Sequence, residues 1–257
     1  MQMTLNECSA WLCSLLKPEN FPSDPSMNGV QVSNSAPDRK QIRKIAFAVD
    51  ACLETIEKAA AEKADLLVVH HGLFWRYPLA VAGAHYGRVK ALLDADMALF
   101  AAHIPLDANE ECGNNYGIAR RIGLEGLEPF GFWHGMQLGV MGSFPSPLSK
   151  DEICRRLLPN GEKPLAILPF GPERITKVAV ISGGAGEDVD QAIEAGADAY
   201  ITGTIEHEQY HVAKEHGITV IAGGHYNTET VGVSLVMKKI HEETGVETVF
   251  ISAPTEL

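Results

Sequence analysis

Apolar positions in this chain fall into short runs joined by helical spacings, and one of those runs ends in chemistry. Leu66 to Val69 are four consecutive apolar residues, too few for a stable helix and rich in branched side chains, which reads as a buried parallel strand. Two adjacent histidines, His70 and His71, follow at once. Side chains alternate faces along a strand, so neighbouring imidazoles diverge usefully only where the strand gives out into a loop, at the carboxyl end where open α/β sheets place their ligands. Lys44 to Val49 and Met97 to Ala102 read as companion strands, the first followed by Asp50 and the second by His103, with Asp107 four residues on. The spacing predicts helices between them, Leu53 to Lys63 and Val89 to Ala95. Such alternation implies a parallel sheet with right-handed crossovers. Upstream, Thr4 and Glu7 have capping-box spacing and Leu5, Cys8, Leu12, Leu15 and Leu16 share one face, predicting a helix from Leu5 to Leu16. Pro18, Pro22 and Pro25 break that pattern, and Asn28 to Val32 reads as a loop entering a short strand, with Asn28 a turn residue.

The second half repeats the first. A shift of 133 residues lays Ile42, Lys44, Ala46, Glu54, Ala64 and Asp65 on Ile175, Lys177, Ala179, Glu187, Ala197 and Asp198 without a gap. A shorter second connection changes the shift to 122, which lays His103 and Asp107 on His225 and Glu229. The pattern therefore predicts an α/β protein of two related, duplicated domains with mainly parallel sheets. The first domain is residues 1–125, with His70, His71, His103 and Asp107, and the second is residues 173–257, with His225 and Glu229. The intervening segment, 126–172, contains a strand from Gln137 to Phe144, a helix from Ser149 to about Leu158 and a strand from Leu165 to Leu168. It is either a linker subdomain or extra edge structure.

Composition narrows the function. A net charge of -12 argues against general nucleic-acid binding, which relies on Lys and Arg to neutralise phosphates. Five cysteines without paired spacing argue against a disulfide framework or a thiolate zinc site. The start of the chain lacks a basic segment with an apolar core, and no window holds eighteen apolar residues, so a cytoplasmic protein with no membrane span is expected. The strand ends together offer His70, His71, His103, Asp107, His225 and Glu229, a set able to hold two divalent ions with one carboxylate bridging, as two-metal hydrolases require. A rival pattern, His207, Glu208 and His211 in HEQYH, has zinc-peptidase spacing but polar flanks. It reads as an exposed helical face, or as one histidine near the substrate serving as a proton donor.

VVHHGLFW, HIPLDA and IAGGHYNTET, in that order, resemble the dinuclear metal-centre family whose bacterial members are called GTP cyclohydrolase I type 2 homologues, also known as the Nif-three-like family. The likeness runs from NGVQV at Asn28 to the end. The resemblance implies two related α/β domains, a homohexameric ring, and metal ligands at His70, His71, Asp107, His225 and Glu229, with Glu229 bridging and His103 beside the site. It implies two divalent ions per chain (zinc, manganese, iron or nickel), a nucleotide-like substrate and opening of the guanine ring of GTP. The chemistry of such a site gives His103 or His207 the role of moving protons. One departure stands out, because Thr204 occupies a position where the family often has Glu. A metal-bearing scaffold without activity and a phosphoester hydrolase are the competing readings.

Overall fold

The computed structural model describes residues 3–257. The chain divides into two compact units, Met1–Leu106 with Val233–Ala253, and Asp107–Gly232 with Pro254–Leu257. No helix among the described residues is long and apolar enough to cross a membrane.

The first unit is a five-stranded sheet in the order Glu247–Phe250, Lys44–Asp50, Leu66–His71, Ala98–Ala101, Gly29–Val32. The first four strands are parallel and Gly29–Val32 is an antiparallel edge. Its apolar core brings Ile56 and Ala59 of the helix Leu53–Ala61 and Leu92 of the helix Gly83–Asp94 against Leu67, Val69 and Leu99. The helix Leu5–Leu16 has the expected bounds and a complete capping box between Thr4 and Glu7. Gly83–Asp94 starts six residues before the apolar spacing shows it, because His85 and Leu92 are the only residues it buries.

Both histidines lie inside the strand Leu66–His71 rather than beyond it, since His71 still pairs with Asp50. The neighbouring strand on the other side ends at Ala101, opposite Val69. Pairing from that side therefore stops just before His70, which gives the two rings the freedom that a loop would have supplied.

The second unit is a mixed sheet ordered Glu125–Trp133, Met136–Leu148, Ile175–Val180, Ala199–Thr202, Thr219–Ala222, Ala166–Pro169. Ile175–Val180, Ala199–Thr202 and Thr219–Ala222 are parallel, and the other strands flank them antiparallel. The strands of residues 126–172 are thus extra edge structure on both sides of this sheet. The helix His225–Thr244 follows the last parallel strand.

The duplication is visible in the backbone. Asp65 accepts the Arg43 N–H at 2.9 Å and donates its own N–H to the Lys44 carbonyl at 2.9 Å. Its counterpart Asp198 accepts the N–H groups of Thr176 and Lys177 at 2.8 and 2.9 Å and donates to the Lys177 carbonyl at 2.8 Å. In both units one aspartate at the start of the second parallel strand ties down the start of the first. The third strands correspond differently from the histidines, because Leu66 pairs with Ala98 and Ala199 with Thr219, a shift of 121. His225 stands one residue further from its strand than His103, after Gly223 and Gly224.

Replacing Asp198 with Ala strips two strand-initiating N–H groups of their acceptor. The expected loss is about 1–3 kcal/mol of stability, read from denaturant unfolding, with a smaller effect for Asp198→Asn.

Candidate metal centre

Each imidazole in the first unit is tied back through Nδ1. His70, fully buried, has Nδ1 3.0 Å from the Ala102 carbonyl, an acceptor only, so that nitrogen carries the proton. His71 Nδ1 lies 2.9 Å from Asp50 Oδ1, and His103 Nδ1 lies 2.9 Å from Asp24 Oδ1. The rings cluster, with centroids 4.5 Å apart for His70 and His71, 5.1 Å for His70 and His103, and 5.6 Å for His71 and His103. One nitrogen from each of the three lies within 4.8 Å of the others. Trp75 closes one side, edge-on to His103 at 5.1 Å.

The segment carrying Asp24 is stitched to the end of the histidine strand. Gln31 accepts the N–H groups of Leu73 and Phe74 at 2.7 and 3.0 Å and donates to the Met27 and Phe74 carbonyls. A side chain placed on Gly72 would strike Gln31 and Ala101, so the turn after the histidines packs this closely only with glycine. Asn28 does more than make a turn. Its Oδ1 accepts the His103 N–H at 2.8 Å and its Nδ2 donates to Asp24 Oδ2 at 2.8 Å.

In the second unit the carboxylates are buried and held. Asp107 Oδ1 accepts from Asn114 Nδ2 at 2.9 Å and from Ser182 Oγ at 3.0 Å. Asn114 also accepts the Gly232 N–H at 2.6 Å, while Asn115 accepts the Ser182 N–H at 2.7 Å and donates to the Leu138 carbonyl at 2.7 Å. Both asparagines are fully buried. His225 and Glu229 are one turn apart on their helix, with Nε2 3.1 Å from Oε1. Gly183, at φ +69°, makes room for them: a Cβ there would collide with Glu229 Oε1 and lie 3.3 Å from His225 Nε2. The Gly183 turn is locked by Thr228, whose hydroxyl accepts its N–H at 3.1 Å, and by the N–H groups of Gly203 and Thr204, which donate to its carbonyl. Thr204, the departure noted in the sequence, has its hydroxyl on the same side of Gly184 as the His225 ring.

These residues fit a divalent metal. Metal-bound histidines characteristically give their second nitrogen to a carboxylate or carbonyl, which fixes the tautomer and points the remaining lone pair at the ion. All three imidazoles of the first unit do this. The nitrogen and oxygen donors suit zinc, manganese, iron or nickel, and the five cysteines lie elsewhere.

His207 and His211 are exposed, their rings 6.2 Å apart and edge-on. The helix Gln209–His216 begins after His207, so HEQYH does not present its histidines from one buried helix as a zinc peptidase would. Asp24, Asn114, Asn115, Ser182 and Gly183 escaped the sequence reading, and Asp50 was placed at its strand end without a role.

A family profile described as Duf34/NIF3 (NGG1p interacting factor 3) matches residues 3–256. The chain belongs to the Duf34/NIF3 family. It is 43% identical to a protein of Treponema pallidum (strain Nichols) called "GTP cyclohydrolase 1 type 2 homolog", over 98% of this chain and 99% of the relative. A protein of the same name from Archaeoglobus fulgidus is 42% identical over 99% of this chain and all of its own length. Among solved structures, TTHA1606 from Thermus thermophilus superposes with a TM-score of 0.87 and 37% identity, covering 99% of this chain and 100% of its own. The Duf34/NIF3 fold thus accounts for the whole described chain.

Two outcomes follow from this geometry. Gly183→Ala is expected to displace the Glu229 carboxylate and lower zinc affinity roughly 10- to 100-fold by titration calorimetry, while circular dichroism stays unchanged. Burial pushes the Asp24 carboxyl up, but the hydrogen bonds from His103, Asn28 and the Ser26 N–H outweigh it and hold the group below the ordinary aspartate range. A carboxyl depressed in the fold stabilises above its unfolded value, about 3.9, and that contribution disappears as pH falls through the folded value. Wild type should therefore exceed Asp24→Asn by roughly 1–3 kcal/mol at pH 7, with the gap closing below about pH 3.9 in acid denaturation.

Proposed function

We propose that this Duf34/NIF3 chain is a metal-dependent hydrolase that opens the guanine ring of GTP or a related nucleotide. The observation that carries the proposal is the tie-back of the clustered imidazoles through Nδ1, which in His70 and His71 is the arrangement of metal-bound histidines and in His103 that of an oriented base. The name shared by the Treponema and Archaeoglobus relatives supports the substrate.

In this reading His70, His71, Asp107, His225 and Glu229 are the residues that would hold two divalent ions per chain. Divalent ions, when bound there, would supply Lewis acidity and an activated water. Water adds across the N7=C8 bond of guanine, its oxygen bonding to C8 and one proton going to N7; the C8–N9 bond then breaks, N9 takes the second proton, and C8 is left as a formyl group on N7. His103 takes the water's proton and returns it towards N9. His207, on the exposed surface, is the other proton carrier in this reading. Asn114 and Ser182 keep Asp107 oriented, and Gly183 lets Glu229 stand close to the backbone. The reading extends to a homohexameric cytoplasmic enzyme.

The test strips the protein with chelator, reloads it in turn with zinc, manganese, iron or nickel, and follows GTP by absorbance. Two ions per chain by elemental analysis and ring opening are expected, and His70→Ala with Glu229→Ala should lower turnover at least about 1,000-fold, the several kcal/mol that Lewis acidity contributes. Unchanged turnover in that double variant would reject the mechanism. Phosphate release without ring opening would favour a phosphoester hydrolase, and changed assembly with no turnover a scaffold.

A further inference from the structure

The group that sets the state of His103 is Asp24, which no sequence motif marked. Asp24 has no exposed side-chain surface. Its Oδ1 accepts the Ser26 N–H at 2.9 Å and faces His103 Nδ1 at 2.9 Å, while Oδ2 accepts Asn28 Nδ2 at 2.8 Å and the Ile104 N–H at 3.0 Å. A carboxylate offers about four acceptor positions, and four donors occupy them here. The orientation of Asn28 is not ambiguous, because its Oδ1 must face the His103 N–H and its Nδ2 is thereby turned to Asp24. Two of the remaining partners, the N–H groups of Ser26 and Ile104, are backbone donors that cannot reverse. No position is left for a proton on the carboxyl, so the proton in the His103 contact belongs to the imidazole.

We infer that Asp24 is a positioning residue: held by Ser26, Asn28 and Ile104, it locks His103 in the Nδ1–H tautomer, so that Nε2 meets the reaction as a proton acceptor. The pair has the logic of an aspartate behind a general-base histidine, in which the carboxylate orients the ring and steadies the imidazolium that forms. Asn28 holds both partners at once, which is why the two stay in register although they are 79 residues apart in the chain. The catalytic meaning of this arrangement rests on the hydrolase reading above; the tautomer does not, and it can be measured without nucleotide.

The experiment uses the full chain labelled with 15N-histidine, treated with EDTA at a pH where imidazoles are neutral, with His103→Gln included to assign the His103 signals. Nitrogen NMR of the wild type should show His103 Nδ1 protonated and Nε2 non-protonated. In Asp24→Ala the Nε2 signal should move toward the protonated range as the Nδ1–H loses its acceptor, with circular dichroism confirming the fold. A wild-type His103 protonated at Nε2, or an Asp24→Ala protein that keeps the wild-type tautomer in full, would overturn the inference. The wild-type spectrum decides on its own should the alanine variant fail to fold. GTP turnover plays no part in it, so loss of the hydrolase reading and loss of this one are separate results.

Discussion

The first unit of this protein depends on one constraint: an imidazole removed from water needs a partner on each nitrogen, and the fold supplies the Nδ1 partner from a different segment each time. The Ala102 carbonyl serves His70, Asp50 serves His71 and Asp24 serves His103. Those three bonds draw together the ends of the strands Lys44–Asp50, Leu66–His71 and Ala98–Ala101 and the loop that precedes Gly29–Val32. The sheet register and the loop after the first helix are arranged so that these partners arrive. Rotating the buried His70 ring would leave a donor without an acceptor, at a cost of about 1–3 kcal/mol, and the half-buried rings of His71 and His103 would each lose a carboxylate partner, so the cluster is preorganised before any ligand enters.

The second unit solves a different problem. Carboxylates as buried as Asp107 and Glu229 need donors or positive charge. Asn114, Asn115 and Ser182 form a connected network in which most hydrogen-bonding groups are used, and Gly183 removes a side chain where Glu229 and His225 need the space. A polar network of this kind rigidifies when satisfied and destabilises when one member is lost. That explains why an ordinary-looking NNYG stretch forms the buried end of the helix Asn114–Ile122.

Much of the architecture was readable from residue order alone. The helix Leu5–Leu16, the strands around Leu66 and Lys44 and the repeat at 133 residues all follow from apolar period and local capping, which are short-range properties. Asn114–Ile122 and Glu125–Trp133 were not readable, for opposite reasons. The first buries asparagines that look like loop residues, and the second carries Gly126, Pro129 and Gly131 within a strand, where such residues usually end one.

The residue types for a cation site were likewise set by the sequence, since histidines and carboxylates follow apolar strands in both halves at matched spacing. What tertiary structure alone decided is which atoms of those residues are available. Asp24 lies 79 residues from His103 and Ser182 lies 75 from Asp107, so no local pattern connects them. Tautomer and carboxylate orientation depend on hydrogen bonds between segments that only the folded chain brings within about 3 Å, and at that range direction matters as much as identity.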